Sequence, residues 1–162
     1  MKITRAGGSV RLRLAAGESA ALASLIGDLV AVLRPAGLDP SDPVYQRLFP
    51  DGYQDDPEAA EAFRSLTESA LHEERLQRAE QCLAELAAGT PQRRGLEVVL
   101  DPEATDRWLK VLNDIRLAIG TRLGITDDDA LEIDPRARQP TARDVYAYLT
   151  GVQDSLVRAA MR

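Results

Sequence analysis

The sequence predicts an α+β fold, in which a small three-stranded antiparallel sheet packs on a bundle of about four main helices. Three observations support this prediction. Short segments near the N-terminus and near residue 97 alternate apolar and charged side chains, as half-buried strands do. Longer segments repeat apolar residues every three or four positions, as amphipathic helices do. The chain has 162 residues, which is the length of a single domain.

The first 15 residues are predicted to form a β-hairpin. Apolar side chains alternate with Arg11 and Arg13 over residues 9–15, which is the pattern of a strand with one buried face and one basic face. Residues 1–5 form the partner strand, and a short glycine turn between the two supplies the backbone freedom that a tight turn needs. The hairpin therefore presents a candidate basic face at Arg11 and Arg13.

A third strand is predicted over residues 95–101, where leucine and valine alternate around Glu97. Its natural position is beside the N-terminal hairpin, because it is the other segment with an alternating pattern. In that position Glu97 faces Arg11 or Arg13 across the sheet, and opposite charges on neighbouring strands stabilise their pairing.

Residues 18–88 are predicted to form most of the helical body. A helix over residues 18–34 has a leucine-rich stripe. Four prolines interrupt residues 38–57, so this segment is predicted to be connecting chain with one short helical piece at 44–49. An Asp-Pro-Glu-Ala sequence then starts a long helix that ends near Ala88, because aspartate caps free amide groups and proline fits the first turn.

A second Asp-Pro-Glu-Ala sequence starts the helix predicted over residues 103–123. This helix is apolar around much of its circumference, so we expect it at the centre of the fold. The last helix is predicted over residues 142–160, with Thr141 as its cap. Its apolar stripe is short, so we expect it to pack inside the chain, with a homodimer as the alternative.

The charge is unevenly distributed along the chain. The net charge is −6, and residues 51–92 contain ten acidic and three basic side chains. The first 16 residues contain four basic side chains and no acidic side chain. Four positive charges are few for a protein that neutralises many phosphates, so we do not expect direct nucleic-acid binding. No apolar run approaches the ~20 residues of a membrane span, and we expect a cytoplasmic protein.

The helix over residues 103–123 contains unusual polar residues near its apolar face. With residues placed every 100° around the axis, Trp108 lies at the centre of the core face, while Arg116 and Arg122 lie in or beside it. Gly120 lies near Arg116 and costs about 1 kcal/mol relative to alanine inside a helix, so we expect another element or a ligand to approach closely there. The candidate interaction residues on this helix are Trp108, Asn113, Asp114, Arg116 and Arg122.

A charge beside the core must be paired or must reach solvent, which leaves two interpretations of these residues. In the structural interpretation, Arg116 pairs with an acid, Arg122 binds the last carbonyl groups of its helix, and Gly120 admits a crossing helix. In the functional interpretation, Asn113 and Arg116, together with Arg122, line a small polar recess that binds an anion or an acidic side chain of a partner.

Catalytic chemistry has few candidate residues in this sequence. Cys82 is the only cysteine and His72 the only histidine, and both lie in a predicted helix, where a small buried side chain and a structural histidine are the usual interpretations. A reactive thiol at Cys82 is the alternative, with Arg78 one turn earlier as a source of positive charge. The aspartates at 127–129 lack the spacing of a calcium loop. We therefore predict no enzymatic activity, no cofactor and no metal site.

The central helix resembles part of a known family. Its residues 108–117, WLKVLNDIRL, and residues 120–125, GTRLGI, are similar to the signature of the actinobacterial domain-of-unknown-function family that includes the oxidative-stress regulator AosR. The resemblance is strongest over residues 101–125, and the rest of the chain fits the family's layout. It implies a non-enzymatic regulator of transcription that contacts RNA polymerase or a sigma factor. Redox sensing of the AosR kind would need a cysteine pair, and Cys82 is alone.

Together, the residues and the resemblance predict a cytoplasmic regulatory protein that binds another protein. The long acidic helix is a candidate surface for a basic partner, and the basic hairpin is a candidate surface for an acidic partner. The first alternative is a DNA-binding regulator whose affinity falls with salt and depends on Arg11 and Arg13. The second alternative is a small-ligand or anion-binding domain, or an enzyme, that uses the recess near Asn113 and Arg116.

Overall fold

The computed structural model describes residues 1–34, 39–50, 57–125 and 140–161. In chain order these residues form β1 (Lys2–Ala6), β2 (Ser9–Ala15), α1 (Ala16–Leu33), α2 (Pro43–Leu48), α3 (Pro57–Ala87), β3 (Thr90–Gln92), β4 (Gly95–Leu100), α4 (Pro102–Leu123) and α5 (Ala142–Met161). The predicted α+β class is confirmed. The aspartates at 127–129 lie outside the described residues.

The sheet is antiparallel and has four strands in the order β1-β2-β4-β3. The three predicted strands are present, and the sheet has a fourth strand that the sequence analysis missed, β3, in which Thr90–Gln92 pair with residues 95–97 of β4. β3 has only three residues and contains Pro91, and within a sheet proline is confined to edge strands, strand starts and bulges. A segment this short has no alternating pattern, so it becomes recognisable as a strand only through its pairing with β4.

β2 and β4 are the two central strands, with Val10 opposite Leu100 and Ala15 opposite Gly95. The backbones approach so closely at Gly95 that a Cβ atom there would lie 1.8 Å from the Leu14 carbonyl oxygen. One face of the sheet packs against the helices, and its side chains form part of the core. The buried residues on this face are Val10, Leu12, Leu14, Val98 and Leu100.

α1 begins at Ala16, two residues before its predicted start. The Glu18 carboxylate accepts a hydrogen bond from the Ala15 N–H at 2.8 Å, which satisfies one of the amide groups that a helix start leaves free. The helix therefore begins directly after β2, which ends at Ala15, and no loop separates the strand from the helix.

α1 is also apolar enough to resemble a membrane-spanning helix, with a mean hydropathy of 1.5 over 18 residues. By this measure, the prediction that no apolar run approaches the size of a span is wrong. Many of the apolar residues are alanines, which raise the mean hydropathy but bury little area. The larger side chains pack in the core of the fold. Its buried residues are Leu22, Ile26, Leu29, Val30 and Leu33.

α2 packs against α4, and α3 packs against both α1 and α4. Asp42 caps α2 by accepting a hydrogen bond from the Val44 N–H at 2.8 Å. α3 is one helix of 31 residues, close to the length predicted from its start signal, and it contacts α1 and α4. Near the C-terminal end of α3, Ala79, Cys82 and Leu86 are buried in the core. These residues pack this part of the helix against the rest of the fold.

α4 is the central helix, as predicted, because it contacts the sheet and the other four helices. Asp101 caps its start by accepting a hydrogen bond from the Ala104 N–H at 2.7 Å. Gly124 ends it in the left-handed region, with φ 62° and ψ 30°, which is common for glycine after a helix. Trp108 and Leu112 are fully buried, so the helix is anchored on the face that the 100° spacing identified.

α5 begins with a reciprocal cap between Thr141 and Asp144. The Thr141 N–H donates to Asp144 Oδ2 at 2.7 Å, and the Asp144 N–H donates to Thr141 Oγ1 at 3.2 Å, which confirms the predicted cap. The apolar stripe of the helix, Leu149, Val152 and Leu156, is buried, and α5 contacts α4, β1 and β2. The stripe therefore packs inside the chain, as expected for one of this length.

Candidate functional site

The polar residues of α4 contact several different neighbours. Asp114 and Arg116 are two positions apart, so their side chains leave the helix about 200° apart and meet α3 and α5 respectively. Arg122 reaches the start of α2. The candidate residues of this helix are thus distributed around its circumference, and each one has to be considered with its own partners.

Trp108 combines a buried ring with a satisfied polar atom. Its Nε1 donates a hydrogen bond to Glu85 Oε2 at 2.7 Å, and the other carboxylate oxygen accepts a hydrogen bond from Arg107 at 2.5 Å. The hydrogen bond from Arg107 to Glu85 raises the pKa of that guanidinium. This arrangement joins α3 to α4, because one glutamate on α3 binds two successive side chains of α4.

Asp114 forms an ion pair with Arg75 of α3. The Asp114 side chain is 6% exposed and the Arg75 side chain is 22% exposed. The Cζ atom of Arg75 lies 5.4 Å from the centre of the Phe49 ring, and that ring stacks on His72 with 4.0 Å between ring centres. The ion pair and its aromatic cover hold α3, α4 and the end of α2 together, and His72 takes the structural role that was predicted.

Arg116 points to α5. Its guanidinium donates hydrogen bonds to Gln153 Oε1 and, at 3.4 Å, to the Tyr146 hydroxyl group. Its Cζ atom also lies 5.0 Å from the centre of the Tyr146 ring. Among the described residues, an amide and a phenol take the place of the acid that the structural interpretation expected for Arg116. A sequence pattern shows that such a charge needs partners, and only the packing of α5 shows which they are.

Gly120 provides the space for this contact. A Cβ atom at residue 120 would lie 3.1 Å from Cε2 of Tyr146, so the prediction that Gly120 admits a crossing helix is confirmed by α5. Asn113 is partly buried and lies three residues before Arg116, on the neighbouring surface of the helix. A ligand recess at Asn113 and Arg116 stays a prediction.

Arg122 also has a different partner from the one predicted. Its guanidinium lies 3.0 Å from Asp42 Oδ2, and it was expected to bind the last carbonyl groups of its own helix. Asp42 thus caps α2 with one carboxylate oxygen and pairs with α4 through the other. The contact connects two elements that are 80 positions apart in the sequence, a distance at which sequence spacing has no predictive value.

The predicted basic face lies on the open side of the sheet. Arg13 Nε donates to Glu97 Oε2 at 2.7 Å, and Arg11 Nε lies 3.5 Å from Glu97 Oε1, which confirms the predicted cross-strand pairing. The hydrogen bond from Arg13 lowers the pKa of Glu97. Arg13 remains about half exposed, and Val99 on the same face is 55% exposed. This face is therefore open to solvent, with part of its positive charge balanced by one carboxylate.

Cys82 is buried in α3 and bonded to no other cysteine. Burial and the neighbouring Glu85 carboxylate raise the pKa of its thiol to about 12, and the charges of Arg107 and Arg78 do not outweigh them. Because the thiolate is the reactive form of cysteine, this side chain has the properties of a small core residue at neutral pH. The structure supports the predicted core interpretation of Cys82.

Among the side chains that the structure describes, those of residues 1–34, 39–50, 69–125 and 140–161, no three of His, Cys, Asp or Glu lie close enough to hold a metal ion. The polar residues that the sequence analysis missed are Asp42, Arg75, Glu85, Tyr146 and Gln153. Each one is the partner of a predicted residue on another element. The rule that buried charges need partners predicts that such residues exist and does not identify them.

The sequence of this chain is similar to those of known proteins. A family model described as a domain of unknown function, DUF2017, matches residues 1–160. In an alignment of 193 positions, the chain is 29% identical to the oxidative stress regulator AosR of Mycobacterium tuberculosis. That alignment covers 98% of this chain and 85% of that protein. It is 34% identical over 131 residues to the putative oxidative stress regulator AosR of Mycobacterium leprae, covering 75% of this chain and 60% of that relative's length. No solved structure matches.

Proposed function

The chain belongs to the DUF2017 family, and from this premise we propose that it is a cytoplasmic regulatory protein of the oxidative-stress response that acts by contacting other proteins. The observation that carries the proposal is the similarity to the mycobacterial regulators, which extends over nearly the whole chain. A match of this extent includes the sheet and the helical layer alike, so the proposed role belongs to the whole domain.

The placement of the reactive side chains supports binding rather than catalysis. His72 is stacked on an aromatic ring, and Cys82 is buried with its pKa raised to about 12, so neither has the exposed, activated form that a general base or nucleophile needs. The acidic residues Glu85 and Asp114 are engaged in contacts between helices. These four side chains stabilise the fold in the positions where the structure places them.

The single cysteine limits how this chain can respond to an oxidant. An intramolecular disulfide needs two cysteines with their Cα atoms within about 7 Å, and this sequence contains one. Oxidation of a thiol also follows its exposure and thiolate character, and Cys82 is fully buried. We propose that the oxidant signal reaches this protein through its partner, and that its own thiol does not sense the oxidant.

The transcription machinery is the partner that the family resemblance implies, with RNA polymerase or a sigma factor as the contact. Its test is affinity capture of the tagged protein from the cells that produce it, before and after hydrogen peroxide treatment, with proteins identified by mass spectrometry. We expect polymerase subunits or a sigma factor to be recovered above the level of an untagged control. Recovery of the bait alone, in both conditions, would contradict a stable contact with transcription proteins.

A genetic experiment tests the regulatory role independently of any one partner. Deletion of the gene should change the transcript response to hydrogen peroxide, and the wild-type gene should restore it. The Cys82→Ala variant should restore it equally well, because the proposal assigns no sensing role to that thiol. An unchanged response in the deletion strain would overturn the proposed function, and failure of a folded Cys82→Ala protein would overturn the proposed route of the signal.

A second candidate function is binding of a small anion beside Asn113 and Arg116. The observation in its favour is that no carboxylate among the described residues pairs with Arg116, and that its buried Nε has no hydrogen-bond partner there. Phosphate or a small dicarboxylate would then raise the Tm of the wild-type protein and leave that of Arg116→Gln unchanged. Equal shifts in both proteins, or none in either, would remove this candidate.

A further inference from the structure

β1 is an open edge of the sheet. It pairs with β2, and no other described strand lies on its far side. In an antiparallel hairpin with a two-residue turn, the residues that flank the turn, here Ala6 and Ser9, exchange hydrogen bonds, and so does every second pair along the ladder. Ile3 and Arg5 therefore direct their backbone N–H and C=O groups away from the sheet. Such a row of groups can pair with an added strand.

A groove runs along this edge, between β1 and the end of α5. It consists of two cavities of about 390 Å³ and about 190 Å³ whose walls share Arg5 and Ala159. The larger one also contacts Ile3, Ser155 and Arg158, and the smaller one continues towards the start of α4. A strand added to β1 would direct alternate side chains into this groove, because successive side chains of a strand point to opposite faces.

The groove is positively charged. Arg5 and Arg158 are exposed, and neither forms an ion pair with another described residue. Arg5 Nε donates to the Gly7 carbonyl oxygen at 2.9 Å, which leaves the two terminal amino groups of its guanidinium for a ligand. The one acidic residue in the walls, Asp106, is paired with Lys110 at 2.7 Å. The charge balance of this site therefore favours a ligand with carboxylates.

We propose that the β1 edge and the adjoining groove bind an extended acidic segment of a partner protein, which adds to the sheet as a fifth strand. Carboxylates of that segment contact Arg5 and Arg158, and its backbone pairs with Ile3 and Arg5. Met161 lies one turn after Arg158 and is 83% exposed, so an apolar side chain of the segment has a contact at the end of the groove. The sheet edge provides affinity through main-chain hydrogen bonds, and the arginines provide the charge preference.

Two other occupants fit the site less well. A nucleic acid has no alternating N–H and C=O groups to pair with a strand edge, so it would use the arginines and leave the edge unpaired. A second copy of this chain would present another β1 edge, which has two basic and no acidic side chains, so it would supply no carboxylate for Arg5 or Arg158.

The inference rests on the proposed function for its biological meaning, because it specifies where a regulator would contact a partner. Its test uses purified protein and is independent of any transcript response. A phage-displayed library of random 12-residue peptides is selected on the full chain. We expect enrichment of peptides in which aspartate or glutamate alternates with apolar residues. A selection that yields no binding peptide, or peptides without acidic enrichment, would overturn the proposal.

The selected peptide is then measured against charge-reversed variants. Arg5→Glu combined with Arg158→Glu should weaken its binding at least tenfold. The control is Arg93→Glu combined with Arg94→Glu, which makes the same change in net charge at exposed residues in the β3–β4 turn, and it should leave the affinity within twofold. Equal losses in both variants would indicate attraction to the overall charge and would contradict a site at β1.

Backbone pairing is tested separately by N-methylation of the same peptide. Methyl groups on one set of alternate amides should abolish binding, and methyl groups on the other set should be tolerated, because every second amide of an added strand faces the edge. Hydrogen exchange at Ile3 and Arg5 should also slow when the peptide binds. The proposal would be overturned if the protein bound both methylated peptides equally well. It would also be overturned if single-stranded DNA bound more tightly than the peptide, or if sedimentation showed a dimer that depends on β1.

Discussion

The arginines around α4 and the arginines along the β1 edge differ in what they contact. Arg75, Arg107 and Arg116 each bind a side chain on another helix, whereas Arg5 and Arg158 lie exposed beside a groove and form no ion pair with the described residues. The same side chain thus stabilises the fold in one region and is available to a partner in the other. Arginine content alone therefore does not identify a basic binding surface, because Arg75, Arg107 and Arg116 already bind side chains of this chain.

The largest effect is expected from breaking the ion pair inside the helical layer. Asp114→Ala removes the carboxylate that pairs with Arg75, whose side chain is only 22% exposed. This substitution should lower the free energy of unfolding by about 3 kcal/mol. Urea denaturation of the purified protein measures this change. Asp106→Ala is the matched control, because its pair with Lys110 is exposed, and it should cost less than about 1 kcal/mol. Equal losses in the two variants would remove the distinction between interior and surface charges.

A smaller loss is expected where α4 meets α3 through Trp108. Trp108→Phe removes buried volume and the Nε1 donor to Glu85, so it should lower the free energy of unfolding by about 2 kcal/mol. Arg107 still binds that carboxylate, which is why the loss stays below that of Asp114→Ala. Denaturant unfolding followed by circular dichroism is the measurement, and a loss as large as that of Asp114→Ala would show that Arg107 does not compensate.

Alkaline pH should affect the interior through Cys82. Its folded pKa of about 12 lies above the ordinary value of 9.0, so the unfolded chain loses this proton first as the pH rises. The free energy of unfolding should therefore be unaffected by this group below about pH 8, and should fall between about pH 9 and 12, by about 1 kcal/mol at pH 10.

The control for this prediction is Cys82→Ala. Burial and the nearby Glu18 also raise the pKa of Tyr148 to about 12, so the variant should retain a weaker loss of stability at high pH. Denaturation at pH 8 and pH 10 separates the two contributions. Identical pH dependence in the variant and the wild-type protein would show that the Cys82 thiol titrates normally.

The smallest effect is expected on the open face of the sheet. Arg13 lowers the pKa of Glu97 chiefly through its hydrogen bond, so this pair contributes stability above the ordinary pKa of Glu97 and loses it as the pH falls through the lowered value. Arg13→Ala should raise the pKa of Glu97 in an NMR titration and scarcely change the stability, because Arg13 is about half exposed and Arg11 still lies beside the Glu97 carboxylate. Arg11→Ala should shift that pKa less. A larger shift from Arg11→Ala would reverse the assigned roles.

The elements of this fold were largely predictable because their signals are local. Alternating side chains identify β2 and β4, since a half-buried strand has a period of two. Asp101 and Thr141 mark helix starts because their side chains bind amide groups within a few residues. The burial of Trp108 follows from the 100° spacing of its own helix. Each of these features depends on neighbours in the sequence, and therefore the sequence by itself determined them.

The tertiary structure alone decided which distant groups meet. β3 exists because Thr90–Gln92 lie beside β4, and no pattern of three residues including a proline predicts that. Arg116 and Arg122 have partners from α5 and α2, at separations of 37 and 80 positions. The groove at the β1 edge arises from the position of α5 on the sheet. Such contacts depend on how whole elements pack, and packing is a property of surfaces that no single segment contains.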